Sequence, residues 1–227
     1  MTREHYAELL KQLDGEILAM GDLVVETIGM AVDALGRRDV ELARHLIEAD
    51  NEIDKKRYDI ERDALLLIAT QQPLAGDLRN IAAILTVATE LERIADYGEG
   101  IARLTLRMAS EPVVASIDEI RSMIDLTQRL LTEVLEAFRD RDLETAARVW
   151  SRDDEVDEIY EQVFRRLIAE MIENPSTVRA GTYLLWVAHN IERMADRVTN
   201  IAERVAFVVT GDVAAFRDSI RAQTLPT

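Results

Sequence analysis

The sequence predicts an all-α fold of two tandem three-helix bundles, related by an internal repeat and so by a pseudo-twofold axis. Three observations carry this prediction. Apolar residues recur at helical spacing along nearly the whole chain. Helix breakers are scarce, with nine glycines and four prolines in 227 residues. One stretch is also written twice: ELERIADYGEGIARLT begins at Glu90, and NIERMADRVTNIAERV begins at Asn190. Glu92, Arg93, Ala95, Asp96, Ile101 and Ala102 each recur 100 residues later, from Glu192 to Ala202.

Six helices are expected, near 3–36, 40–71, 74–109, 115–139, 143–173 and 176–210. Most would be about 40 to 50 Å long at 1.5 Å per residue. Gly36 and Asp39 suit a helix end followed by an N-cap. Pro73 and Pro175 suit first helical turns, with Asn174 as a cap. Glu111-Pro112 breaks the middle of the chain, and Asp140 and Asp142 mark the next turn. After Gly211 the tail is expected to form a short helix or to fray.

A second repeated stretch extends the first. RRDVELARHLIEADNEID (37–54) aligns with DRDLETAARVWSRDDEVD (140–157) at an offset of 103 residues. Arg79 and Leu85 keep the offset of 100 with Arg179 and Leu185. The three-residue difference falls in the loop between the second and third helices of each copy. A period near 100 is too long for a solenoid and fits a duplicated bundle, with domains at 1–110 and 111–227. Leu46, Ile53, Ile60 and Leu67 form a seam in the second helix. Val149, Val156, Val163 and Ala169/Glu170 form its counterpart. Leu91, Ala95 and Ala102 form the seam of the third helix, and Ile191, Ala195 and Ala202 its counterpart.

Composition excludes several function classes. Hydrophobic residues make up 48% of the chain and charged residues 31%, so it can fold around a core. A formal net charge of −16 opposes binding to nucleic acid or anionic lipid, and no basic run overrides it. Without cysteine there is no disulfide, thiolate metal site or thiol nucleophile. The N-terminus is charged from the start, unlike a signal peptide. The longest apolar run, ALLLIA at 64–69, is too short for a transmembrane segment. A cytoplasmic chain is expected.

The repeat also duplicates acids spaced four apart: Asp50/Asp54 and Glu92/Asp96 in one copy, Asp153/Asp157 and Glu192/Asp196 in the other. Such pairs point the same way on a helix, and like charges at this spacing cost roughly 0.2–0.5 kcal/mol. Two counter-charges suggest themselves. Arg57, Arg93 and Arg193 lie close in sequence, and a carboxylate–Arg network is one reading. A hard cation held by clustered oxygens is the other.

QQPLAGDLRNIAAILTVATELERIADYGEGIA (71–102), with HNIERMADRVTNIAERV as a second copy of its motif, closely resembles the signature of the PhoU family of phosphate-uptake regulators. The resemblance covers nearly the whole chain, including the duplication. It implies paired three-helix bundles, and metal bound at E/D-x-x-x-D motifs, iron being the best-known ion, with Mg, Mn or Zn as other candidates. The ligands would be Asp50, Asp54, Glu92 and Asp96, and Asp153, Asp157, Glu192 and Asp196. It implies no catalysis. The role would be negative regulation of phosphate uptake and of the phosphate-starvation response, linking the ATPase subunit of the phosphate ABC transporter to a sensor histidine kinase. A homodimer, held at the membrane only through its partners, is expected. Asn200 stands where the first copy has Gly100; an amide assisting ligation would make the first site the poorer one.

His189 lies one turn before Glu192, but its counterpart is Thr89, so symmetry gives it no ligand role. His5 and His45 read as solvated, and Trp150 and Trp186 as packing residues. There is no phosphate-cradling glycine loop and no hydrolase or zinc-protease motif. The competing readings are a ferritin-like di-metal oxidoreductase or iron-handling protein, and a scaffold whose acids meet a basic partner. The former takes Glu-x-x-His from two helices of a four-helix core, and no such motif occurs here.

Overall fold

The computed structural model describes residues 3–112 and 117–224. It is all-helical, with no strand among the described residues: α1 (Arg3–Arg37), α2 (Val40–Gln71), α3 (Ala75–Met108), α4 (Ile117–Asp140), α5 (Leu143–Trp150), α6 (Asp153–Glu173), α7 (Val178–Thr210) and α8 (Val213–Thr224). Residues 115 and 116, the predicted start of the fourth helix, lie outside the described residues. The first bundle is α1–α3. The second is α4, the broken pair α5/α6, and α7, with α8 added after it.

The seams are where the apolar spacing placed them. Leu46, Ile53, Ile60 and Leu67 are buried, as are Val149, Val156 and Val163. The second seam then continues through Leu167 rather than Ala169 and Glu170, which keep contact with solvent. A helix of 3.6 residues per turn drifts off a strict seven-residue step, so the buried stripe moves over by a position. In the third helices Leu91, Ala95, Ala102, Ile191, Ala195 and Ala202 are all buried.

The bundles join through two antiparallel helix pairs, α3 with α7 and α1 with α4. Facing positions along α3 and α7 are Arg79 with Gly211, Tyr97 with Arg193, and Gly100 with Asn190. Beyond the end of α3, Glu111 pairs with Arg179 at 3.1 Å. Each step up one helix is a step down the other, and exchanging the copies maps Arg79 and Gly211 onto Arg179 and Glu111. In the other layer the Gln128 amide reaches the Val25 carbonyl at 2.7 Å, over Gly29. A β-carbon at Gly29 would lie 2.4 Å from that amide.

Two turn assignments change. Gly36 lies inside α1, and the left-handed residue that ends the helix is Arg38, with φ 55°. Asp39 N–H then bonds back to the Ala34 carbonyl at 2.8 Å, and the Asp39 side chain caps α2 by accepting from Leu42 N–H. The repeat does the same at Arg141, φ 58°, followed by Asp142. A non-glycine residue there costs about 1 kcal/mol, and both guanidinium groups find compensating partners. Arg38 donates to the Glu111 and Pro112 carbonyls; Arg141 donates to the Phe138 carbonyl and the Asn80 side chain. Pro73 lies before α3 rather than inside it, because Gln72 takes a left-handed cap at the end of α2. Asn174 and Pro175 do cap and open a short 3₁₀ turn leading into α7.

The predicted helix 143–173 is broken at Ser151-Arg152. The Ser151 hydroxyl donates to the Arg148 carbonyl at 2.9 Å, and Arg152 N–H bonds three residues back, to Val149. The equivalent residues of α2, Glu48 and Ala49, continue the helix. Serine competes locally for backbone groups, and Glu and Ala do not.

Candidate metal-binding acidic clusters

α2 and α3 bring Asp50, Asp54, Glu92 and Asp96 into one field of charge. Burial first, then Asp96, Glu99, Asp54 and Glu92, push the Asp50 carboxyl up to about 6. Burial and Asp96 likewise raise Glu92, and burial and Asp54 raise Asp96. α6 and α7 repeat the arrangement. Burial, then Asp157, Asp196, Asp154 and Glu192, push Asp153 up to about 7. Asp157 and Glu192 are raised as well, burial again being the first cause. The charged groups acting on these acids lie on α2 and α3 in the first cluster and on α6 and α7 in the second.

Glu99 and Asp154 were missed as members. Glu99 was legible: it lies three residues after Asp96 and seven after Glu92, on the same helix face. Asp154 simply follows Asp153. Their counterparts, Thr199 and Asn51, are uncharged, so the repeat criterion filtered them out.

The arginines answer only part of the charge. In the first cluster Arg57 lies 3.7 Å from Glu92 and 3.0 Å from Glu61, and Arg103 bonds Glu99 at 2.5 Å. In the second, Arg193 reaches Asp196 at 3.8 Å, and His189 Nδ1 lies 3.3 Å from Glu192. The counterpart of Arg57 is Tyr160, which puts an aromatic ring where the first cluster has a cation. Carboxylates still raised with these partners present are chemically suited to a hard cation, an oxygen-ligand site. With the side chains as they stand, no three such groups converge on a common point among the described residues. Ligation therefore requires the carboxylates to change rotamer.

Asn200 is not at the cluster. Its amide donates to Glu90 at 3.2 Å across the bundle interface, and Arg197 approaches the same carboxylate at 3.5 Å. Gly100, its counterpart, gives room to Asn190. With the side chains as they stand, the difference between the copies serves the joint between bundles.

The two tryptophans also separate. Trp150 is half-buried and its indole N–H points at Glu203, 3.4 Å away, which Arg217 of α8 clasps with two bonds of 2.5 and 2.6 Å. Trp186 is 49% exposed and is not a core residue. The tail forms α8, anchored by buried Phe216 and Ile220. No helix among the described residues is long and apolar enough to cross a membrane.

The PhoU domain model matches this chain twice, at residues 17–105 and 120–205. A relative from Caulobacter vibrioides, named phosphate-specific transport system accessory protein PhoU homolog, is 40% identical over 93% of this chain and 92% of its own length. The accessory protein PhoU of Serratia marcescens is 34% identical, over 89% and 83%. The crystal structure of PhoU from Pseudomonas aeruginosa superposes with a TM-score of 0.86 at 31% identity, covering 91% of this chain and all of that one. That of the phosphate transport system regulatory protein PhoU from Streptococcus pneumoniae gives 0.86 at 28% identity. With the domain found in both halves and full-length relatives at this identity, the chain belongs to the PhoU family.

Proposed function

We propose that this chain is a non-enzymatic regulator that lowers phosphate uptake and holds back the phosphate-starvation response. The observation carrying the reading is the match, over nearly the full length of both chains, to accessory proteins of the phosphate-specific transport system. Its partners would be the ATPase subunit of the phosphate ABC transporter and a sensor histidine kinase. It would act as a cytoplasmic homodimer that reaches the membrane through them. The test is deletion of the gene with phosphate plentiful, together with co-purification of the tagged chain. Raised uptake and recovery of the ATPase subunit support the reading. Unchanged uptake with neither partner recovered rejects it.

The acid clusters would hold cations, iron or another divalent ion, on Asp50, Asp54, Glu92 and Asp96 and on Asp153, Asp157, Glu192 and Asp196. A bound cation supplies positive charge where raised carboxylates face one another, so its place in this reading is structural. Arg93 and Arg193 would orient the carboxylates from outside. An oxygen-consumption assay on iron-loaded protein separates this from the oxidoreductase reading, which requires turnover.

A further inference from the structure

α8 has no counterpart in the first bundle, and it is lightly held to the second. It packs against α7, with Phe216 and Ile220, one turn apart, as its buried anchors. Its other hold is the pair of bonds from Arg217 to Glu203, at 2.5 and 2.6 Å. The helix is a separate unit of structure. Gly211, with φ 79°, ends α7 in a left-handed cap, and Asp212 then caps α8 by accepting from Ala215 N–H at 3.0 Å. Between α5 and α8 a groove of about 890 Å³ stays open, with Leu143 and Ala147 on one side and Phe216 and Ile220 on the other. A helix of 12 residues is marginal in water without such contacts.

The two copies differ at the position that α8 covers. Arg103 of the first bundle corresponds to Glu203 of the second, and Glu99 to Thr199. Arg103 bonds Glu99 at 2.5 Å and feels the charge of Asp50, so the first cluster carries this cation on α3 itself. In the second copy an acid stands in its place, and that acid is buried. The missing cation arrives from α8. Arg217 clasps Glu203, and Arg217 and Arg221 line a cleft of about 240 Å³ together with Trp150, Asp153, Asp154 and Glu203. The extra helix thus brings two arginines to the edge of the second acid cluster. A three-helix bundle closes without such a helix, as the first one does.

We infer that α8 is a releasable strap that sets the charge of the second acid cluster, docking and undocking as one unit about Gly211. Docked, Arg217 answers Glu203, and both α8 arginines lie in the cleft with Asp153 and Asp154. Released, Trp150 and Glu203 are uncovered, and the cleft keeps its three carboxylates without either arginine. The two clusters are thereby unequal. The first has Arg103 built into α3, and the second has its cation only while α8 is docked. Local opening is drawn from segments held by few apolar contacts, and two anchors with one ion pair hold this one. Once undocked, so short a helix does not persist, so contacts and helix are lost together. The strap goes beyond the proposed function and stands whether or not the acids hold a cation.

The experiment is residue-resolved hydrogen exchange on the full chain in chelator and low urea, with Trp150 emission read in a Trp186→Phe background. The amides of Arg217 to Ala222 should share one opening free energy, well below that of α7. It should hardly depend on urea, because releasing the strap exposes little surface. Arg217→Gln should speed their exchange by at least about tenfold, as expected for a lost charge-assisted hydrogen bond, and leave α3 and α7 within about twofold. In the same variant caesium, a cationic quencher, should quench Trp150 at least about twice as strongly as in the parent, and iodide should gain less, because the uncovered cleft is acidic. Phe216→Asp keeps both arginines and should give the same changes, since it frees the strap from its apolar side. Circular dichroism and melting check that both variants keep the bundle. Exchange that quickens residue by residue toward the C-terminus is fraying and overturns the inference. So does exchange of α8 with the free energy and urea slope of α7, since α8 would then open only with the whole bundle. Equal gains from caesium and iodide, or no gain in either variant, break the link to the acids and overturn it as well.

Discussion

Asn200 on α7 donates to Glu90 on α3 across the bundle interface, while the symmetry-related pair is Asn190 against Gly100. The two halves thus meet through the same positions with different chemistry. Glu90 is nearly buried, and Arg197 shares its carboxylate.

Glu90→Ala should therefore destabilise the joint. It leaves the Asn200 amide and the half-buried Arg197 guanidinium without an acceptor, at about 1–3 kcal/mol. Asn190→Ala removes a partner that rests on a glycine and should cost less. Denaturant unfolding of both variants checks this, and equal losses would mean the joint is not held by Glu90.

The repeat was legible because identical acids and arginines return at a fixed offset, and the seams because burial follows the 3–4 spacing. The joint was not. Whether Asn200 faces an acid cluster or the other bundle depends on how α3 and α7 slide past each other, and local spacing carries no record of that register. The break at Ser151-Arg152 was half-legible. Serine followed by Asp153, Asp154 and Glu155 is a helix-start signature, but alignment with the unbroken α2 masked it. The clasp of Arg217 on Glu203 had no signal, since α8 has no counterpart in the first copy.

The seam makes a second prediction. Leu91 and Ile191 occupy the same position in the two copies and are fully buried. Leu91→Ala or Ile191→Ala should each cost about 2–5 kcal/mol, the transfer term plus the cavity left behind. Urea unfolding at fixed pH measures it. A loss under about 0.5 kcal/mol in either would fit a surface site and not a core one.

The raised carboxylates predict an unusual pH profile in chelator. Asp50 and Asp153 are pushed up to about 6 and about 7 in the fold, against about 3.9 in an unfolded chain. Between those values the folded state binds more protons than the unfolded one, so stability falls as pH rises. The penalty is absent below about 3.9 and complete above about 7. The melting temperature should therefore decline from pH 5 to pH 8, and Asp153→Asn should flatten the decline. A rise over that window would show that the clusters are not strained by their own charge.

The same strain supplies the test of cation binding. Asp96→Asn with Asp196→Asn keeps shape and removes one charge from each cluster. If the acids hold a cation, the purified double variant should carry less metal. Added metal should also no longer raise its melting temperature, because stabilisation by mass action follows affinity. The variant should itself melt higher than the parent in chelator, since fewer like charges face one another. A parent chain whose metal content and melting match the variant's would leave the arginines, Arg57, Arg93, Arg103 and Arg193, to answer the charge. The clusters would then be surface acids that a basic partner meets directly. Loss of metal with the transport partner still bound would make the ion a brace for the fold and not part of the signal.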